Sequence, residues 1–290
     1  MVVRIALQDG RKVEIEEYGD PQGQPALWFH GGFSSRLEPS FLDAPCKELG
    51  VRLLSLDRPG VGGSDPLRNR TLIGYADDVR QVLDSQEIDQ AAVGGLSNGG
   101  MYTMAVASQL PDRVLRAVPN NSSAPIADAH ARAALGWKAR LSYRLTVRRV
   151  DRLDDMMTKA HGPIARRLAS LANPDAQLYD QPDVAVAHAA TLREAVRQPS
   201  NGNLQIEVRH LSQPWGFDHR AITVPVAIVS GARDAGLGYA RAWAQELPQG
   251  RLVVVPGGHL AMPDPRVSRR LVELLAGVDS LRPIGTGGRG

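Results

Sequence analysis

The sequence predicts an α/β protein: a mostly parallel sheet with helices on both faces, interrupted late in the chain by a helical segment. Three observations predict it. Short apolar runs alternate with helical stretches through the first part of the chain. A serine between glycines stands at a strand-to-helix junction. The strand signal disappears between about Pro125 and Trp215 and then returns twice. Alternation of this kind builds a parallel sheet covered on both faces.

Val2 to Leu7 and Lys12 to Tyr18 alternate polar and apolar residues around Asp9-Gly10, the pattern of a hairpin. The runs Ala26 to Phe29, Val51 to Leu56, Ala91 to Val93 and Val114 to Val118 suit buried parallel strands. Between them, Glu38 to Leu49, Ile73 to Ser85 and Met101 to Leu110 read as helices. After Asn120-Asn121-Ser122-Ser123-Ala124-Pro125 the chain becomes rich in Ala and Arg. Leu141, Leu145, Val150, Leu153 and Met157 recur at near-helical spacing, as in an amphipathic helix. Pro163, Pro174, Pro182 and Pro199 divide the rest into short helices. Strand signal returns at Val224 to Val229 and Leu252 to Val255. The organisation expected is a core from residues 1–124, a helical cap from 125–216, the rest of the core from 217–280, and a frayed tail at 281–290.

Composition narrows the classes of function. A chain of 290 residues accommodates one large domain with an insertion. Its formal net charge is only +3, its arginines are scattered and aromatics make up 5 %, which argues against a nucleic-acid partner. The lone cysteine, Cys46, rules out an internal disulfide and a cysteine-rich metal site, and reads as a buried apolar residue in a helix. The N-terminus lacks the shape of a signal peptide, and no apolar stretch approaches membrane-spanning length. The expectation is a cytoplasmic protein with a small-molecule substrate and no membrane partner.

Chemistry is concentrated at Gly94-Gly95-Leu96-Ser97-Asn98-Gly99-Gly100. A Gly-x-Ser-x-Gly unit between a strand and a helix forces its serine into a sharp turn, with glycines where the two arms nearly touch. Ser97 is therefore the candidate nucleophile. A serine hydroxyl needs a base to take its proton, and the base needs a carboxylate to fix its tautomer. His259, in Pro256-Gly-Gly-His-Leu260 just after the last predicted strand, is the best-placed base. Asp234, in Ser230-Gly-Ala-Arg-Asp234 after the preceding strand, is the candidate acid, although an aspartate there could also cap the following helix. Asn120 and Asn121 leave no carboxylate at the end of the sixth strand, the alternative location. The oxyanion donors expected are the main-chain N–H of Asn98 and that of Gly32 in His30-Gly-Gly-Phe33, with Phe33 as second choice.

Other motifs read more plainly. Asp57-Arg58-Pro59-Gly60 lacks the Gly-Lys-Ser/Thr of a phosphate loop and reads as a tight turn with local hydrogen bonds. His30 orders the oxyanion loop. His130, His161, His188, His210 and His219 lack metal-ligand spacing and read as surface or packing residues, so no metal is expected.

Taken together, His30-Gly-Gly-Phe33, Asp57-Arg-Pro-Gly-Val-Gly-Gly-Ser64, Gly95-Leu-Ser-Asn-Gly99, Ser230-Gly-Ala-Arg-Asp234 and Gly257-Gly-His259 resemble, in order, the motifs of the α/β-hydrolase superfamily, in its cap-bearing bacterial esterase and lipase-like branch. The resemblance implies an eight-stranded core with a helical cap between strands six and seven. Departures are Phe33, where relatives often carry Pro, the absence of a Pro in Ala235-Gly-Leu-Gly238 after the acid, and Asn98 beside the nucleophile. The implied activity is a serine hydrolase without cofactor, cleaving a carboxylic ester of a small, partly apolar substrate through an acyl-enzyme. Thioester, lactone and C–C bond cleavage, perhydrolysis, and acyl transfer or cyclisation could use the same triad. A receptor-like binding protein could keep the fold without turnover.

Overall fold

Eight strands join into one sheet in the order β1-β2-β4-β3-β5-β6-β7-β8. The computed structural model describes residues 2–123, 129–135, 137, 140–141, 174–198 and 203–278. Strands β1 (Val2–Ala6) and β2 (Lys12–Gly19) form the predicted antiparallel hairpin, turned by Gly10 at φ 87°. β2 pairs antiparallel with β4 (Val51–Leu56). From β4 onward every pairing is parallel, through β3 (Gln24–Phe29), β5 (Ala91–Leu96), β6 (Val114–Asn120), β7 (Val226–Gly231) and β8 (Gly250–Val255).

The register decides where chemistry can happen. Phe29 pairs with Gly95, Leu96 with Asn120, Asn120 with Val229, and Gly231 with Val255. The carboxyl ends of β3, β5, β6, β7 and β8 are thus level, and the loops that follow them meet along one rim. β3 lies between β4 and β5, so the chain reverses its direction of travel across the sheet there, the crevice position at which open α/β sheets bind ligands.

Both faces of the sheet are covered. Leu27 and Phe29 contribute to a core shared with α2 (Leu72–Ser85) and α3 (Asn98–Gln109). Ala26 and Trp28 face the opposite core with α1 (Asp43–Glu48) and α8 (Pro265–Ala276). In α2, Leu72, Tyr75, Ala76, Val79, Val82 and Leu83 recur at helical spacing and are buried, and Thr71 caps the helix by accepting the Gly74 N–H at 2.9 Å. Between β7 and β8 lies α7 (Leu237–Glu246).

The segment inserted between β6 and β7 contains, among its described residues, α4 (Ala129–Ala134), a 3-10 turn at Ala176–Asp180, α5 (Pro182–Ala195) and α6 (Asn203–Ser212). These parts are helical, as the sequence predicts. The amphipathic stripe Leu141 to Met157 lies, beyond Leu141, outside the described residues, as does the tail 281–290. Among the described residues no helix is long and apolar enough to cross a membrane.

Two elements differ from expectation. The predicted helix Glu38 to Leu49 is divided into a 3-10 turn (Glu38–Leu42), irregular at Pro39 (ψ 19°), and α1, which begins at Asp43. The predicted helix at Met101 starts at Asn98, since Gly99 and Gly100 continue the helix against the sheet.

Gly99 sets how closely α3 approaches β3: a Cβ there would collide with the main-chain oxygen of Phe29, which cannot swing away. Gly99→Ala is expected to destabilise the fold by about 1–3 kcal/mol, as overpacking does. Thermal unfolding checks this, with an expected loss of several degrees.

Candidate active site

Ser97 follows β5 directly, with φ 54° and ψ −116°, a conformation costing a non-glycine residue on the order of 1–3 kcal/mol. Main-chain bonds hold it there. Its N–H donates to Asn120 O at 2.9 Å, and its carbonyl accepts from Gly100 N at 3.0 Å and Ser123 N at 3.1 Å. A Cβ on Gly95 would stand 2.6 Å from both the Gly99 and the Phe29 oxygens. The two glycines therefore let the arms of the turn close while Ser97 is held at their apex.

His259 Nδ1 donates to Asp234 Oδ2 at 2.7 Å. The other carboxylate oxygen, Oδ1, accepts Gly236 N at 2.6 Å, in the turn that leads into α7. The two oxygens of Asp234 are thus shared between the His259 ring and the turn before α7, whose N-cap is Gly236 and carries no side-chain cap bond. With Nδ1 donating, Nε2 is the nitrogen left with a lone pair.

Asn121 links this pair to the turn at Ser97. It is left-handed (φ 44°), a conformation Asn tolerates better than most residues. Its Nδ2 donates to Gly258 O at 3.1 Å and His259 O at 3.0 Å, and its Oδ1 accepts Gly231 N at 2.8 Å. Residues 120–123 thus hold the Ser97 backbone on one side and the His259 loop on the other. In the sequence Asn121 stands out only as a missing carboxylate; a polar pair closing a buried strand was the available signal.

Burial alone would lower the His259 pKa, but the bond to Asp234 and the negative charges of Asp234, Asp175 and Glu38 together raise it above the ordinary value of 6.5.

The loop that carries the expected oxyanion donors follows β3. His30 is fully buried; its Nδ1 lies 2.8 Å from Gly31 O, and its Nε2 accepts the Arg58 N–H at 3.3 Å, which defines a neutral ring protonated at Nδ1. Burial, helped by Arg58, holds its pKa well below the ordinary range. Gly31 N donates to Glu38 Oε1 at 2.9 Å and is thereby occupied. Among the described residues, no turn or loop bond engages the N–H of Gly32, Phe33 or Asn98. Phe33 is left-handed (φ 57°) and partly exposed. A Cβ on Gly32 would lie 2.9 Å from Asn98 Nδ2, so Gly32 packs against the Asn98 side chain.

Beneath this loop lies a buried ionic cluster that the sequence did not reveal. Arg58 donates to His30 O, to Gly31 O at 2.9 Å and, through Nε, to Glu207 Oε1 at 2.8 Å, and it stacks 4.8 Å from the Tyr102 ring centroid. Its bonds therefore reach well beyond the local turn expected for Asp57-Arg58-Pro59-Gly60. Glu207, on α6, also pairs with Arg70 at 3.4 Å and accepts Asn98 Nδ2 at 3.0 Å. Asn98 Oδ1 accepts Ser123 Oγ at 2.8 Å. The side chain next to Ser97 thus bridges the inserted segment and residue 123. Burial would raise the Glu207 pKa, but Arg58 and Arg70 bring it below the usual value. The two guanidiniums of Arg58 and Arg70 face the carboxylate of Glu207 here, and the Glu38 carboxylate lies against the same loop through Gly31 N. No local pattern announces Glu207, because its partners lie far away in sequence.

A second ionic latch joins α5 to the core. The carboxylates of Glu14, Asp57 and Glu194 lie within 4.8 Å of one another, an arrangement that could hold a cation. Arg36 is placed among them instead, 2.7 Å from Asp57, 3.1 Å from Glu14 and paired with Glu194. Burial pushes Asp57 up to about 6 despite Arg36. Ser35 Oγ donates to Thr191 O at 3.0 Å beside this cluster. A separate cavity of about 280 Å³ opens at the amino ends of β6 to β8, lined by Arg116, Pro225 and Arg251 among others, across the sheet from Ser97.

An open α/β sheet with its loops gathered at one rim and a strained serine between β5 and α3 defines the hydrolase type of scaffold. The alpha/beta hydrolase fold family model matches residues 25–265, and the chain belongs to that family. Solved structures of the same fold include an esterase from Thermogutta terrifontis (22 % identity, TM-score 0.72, covering 96 % of this chain and 99 % of that one). Another is an esterase from Exiguobacterium antarcticum (20 %, TM-score 0.73, 95 % and 99 %). An enol-lactonase from Burkholderia xenovorans also shares it (17 %, TM-score 0.68, 96 % and 100 %). Among curated proteins, 3-oxoadipate enol-lactonase 1 of Acinetobacter baylyi is 25 % identical over 138 residues, 48 % of this chain and 50 % of that protein. A probable proline iminopeptidase of Leptolyngbya boryana is 30 % identical over 108 residues, 36 % of this chain and 33 % of that protein. The matches thus span a third to a half of those relatives.

Removing Glu207 leaves Arg58 and Arg70 buried without their carboxylate. Glu207→Ala is expected to destabilise the protein by about 3–5 kcal/mol, the usual consequence of breaking a buried pair. Chemical denaturation checks this, and Glu207→Gln should lose less because it preserves the acceptor for Asn98.

Proposed function

We propose that the protein is a serine hydrolase that cleaves carboxylic esters of small, partly apolar molecules through an acyl-enzyme. The observation that carries this reading is the 2.7 Å bond between His259 and Asp234. Their loops are tied through residues 120–123 to a serine held at positive φ.

Ser97 Oγ attacks the ester carbonyl while His259 Nε2 takes its proton. Asp234 keeps the ring in the Nδ1–H tautomer and stabilises the imidazolium. The N–H groups of Asn98 and Gly32, with Phe33 as second choice, receive the oxyanion, aided by the dipole of α3. His259 then protonates the departing alcohol, and water cleaves the acyl-enzyme with His259 as base. No cofactor takes part in this sequence. The names of the fold relatives include esterases and an enol-lactonase, and a lactone is a cyclic ester, so lactone opening is the second reading.

A panel of short acyl esters, thioesters and lactones tests the proposal, with Ser97→Ala as reference. Ester turnover should exceed that of Ser97→Ala by a factor on the order of 10³–10⁶; equal rates would refute it.

The working base is neutral, so kcat/KM should fall as pH drops through the His259 pKa. Since that pKa is raised, half-maximal activity should lie above 6.5. Asp234→Asn should lower kcat by about 10⁴-fold by favouring the wrong tautomer.

A further inference from the structure

The inserted segment reaches the base as well as the oxyanion loop. We propose that Asp175 is a positioning residue for His259: its carboxylate clamps the loop that carries the base, making the insertion part of the catalytic machinery and more than a cover over it. The inference rests on the reading of Ser97, Asp234 and His259 as a triad.

Asp175 precedes the 3-10 turn Ala176–Asp180, where an aspartate ordinarily bonds into its own helix. Here it makes no such bond. Its buried carboxylate spans His259 instead: Oδ1 accepts Gly258 N at 2.8 Å and Oδ2 accepts Leu260 N at 3.0 Å, the amides on either side of the base. Tyr179, one turn on, donates its hydroxyl to Leu260 O at 3.1 Å. The glycine pair before His259 makes room for this contact. A Cβ on Gly257 would lie 2.8 Å from Asp175 Oδ1, and one on Gly258 would lie 3.0 Å from Oδ2 and collide with the Pro174 ring.

The same strand of insertion touches the acid's loop. Arg233, the neighbour of Asp234, donates its side chain to Pro174 O at 3.1 Å and its N–H to Gly257 O at 2.8 Å, and its guanidinium lies 3.9 Å from Asp175. Pro174-Asp175 is thus wedged between the loops of both partners of the nucleophile.

A loop opening with two glycines has many conformations, and proton transfer needs one of them. Two charge-assisted bonds flanking the histidine select it. The charged groups facing His259 are Asp234 from the loop after β7, Glu38 from the turn after β3, and Asp175 from the insertion. Asp175 therefore also favours the imidazolium that forms when Ser97 gives up its proton.

Asp175→Asn keeps one acceptor and removes the charge. Titration of the His259 ring by NMR in wild type and variant reads the clamp without any need for turnover. The His259 pKa is expected to fall by about one pH unit, as when a nearby opposite charge is lost. The acid limb of kcat/KM should move down with it. At the plateau kcat should drop by about ten- to a hundredfold, as for a displaced catalytic group, with KM little changed. Tyr179→Phe keeps its ring against His188 and loses only the hydroxyl. It should lower kcat several-fold and leave the titration in place, and it decides the matter by kcat if Asp175→Asn does not fold. An unmoved titration and unchanged kcat in folded Asp175→Asn, or an unchanged kcat in Tyr179→Phe where only that variant folds, would overturn the clamp while leaving the hydrolase reading intact. Wild-type activity no greater than that of Ser97→Ala would instead overturn the hydrolase reading, and the clamp with it.

Discussion

The closeness of α3 to the end of β3 is the constraint on which the site depends. Gly99 packs against the Phe29 carbonyl with no space for a side chain, and Gly95 faces the same oxygen from the other arm of the turn. Ser97, between them, is left with one backbone solution, at φ 54°. The level ends of β3, β5, β6, β7 and β8 then bring four further loops to the same rim. Strain at Ser97 is sustained because three main-chain hydrogen bonds and two full cores surround it. The turn does not relax, since relaxing would separate helix from sheet.

The inserted segment is bound to this rim by polar latches, each touching a different loop. Glu194 and Thr191 meet Arg36 and Ser35 beyond the loop after β3; Glu207 meets Arg58 and Asn98 beneath it; Asp175 and Tyr179 meet the loop of His259, the proposed base. Buried ion pairs add little net stability over apolar packing, but they are intolerant of misplacement. They fix where the segment sits. A cover attached by apolar contacts alone could slide, and the geometry beneath it would slide too.

The turn at Ser97 and the pairing of His259 with Asp234 were legible as candidates because each residue lies in a local pattern whose physics is local: a turn that only glycines permit, and loops that directly follow apolar strands. The strands were legible for the same reason, down to Val51–Leu56. Glu207, Asn121 and Asp175 were not. Glu207 and Asp175 act on residues more than eighty positions away, and nothing nearby in sequence registers such a contact. Asp175 even carries a misleading local signal, since Pro-Asp before a helical turn reads as an ordinary cap. The Asn98 side chain had no reading at all until Glu207 and Ser123 were seen on either side of it.

The central claim is that the elbow presents an activated nucleophile, and covalent capture tests it most directly. Folded protein treated with a fluorophosphonate should gain one phosphonyl group, which peptide mass spectrometry places on Ser97. The gain should vanish in Ser97→Ala and slow greatly in a His259→Ala variant. Folded wild-type protein that stays unmodified, or carries the adduct on another residue, would contradict the account.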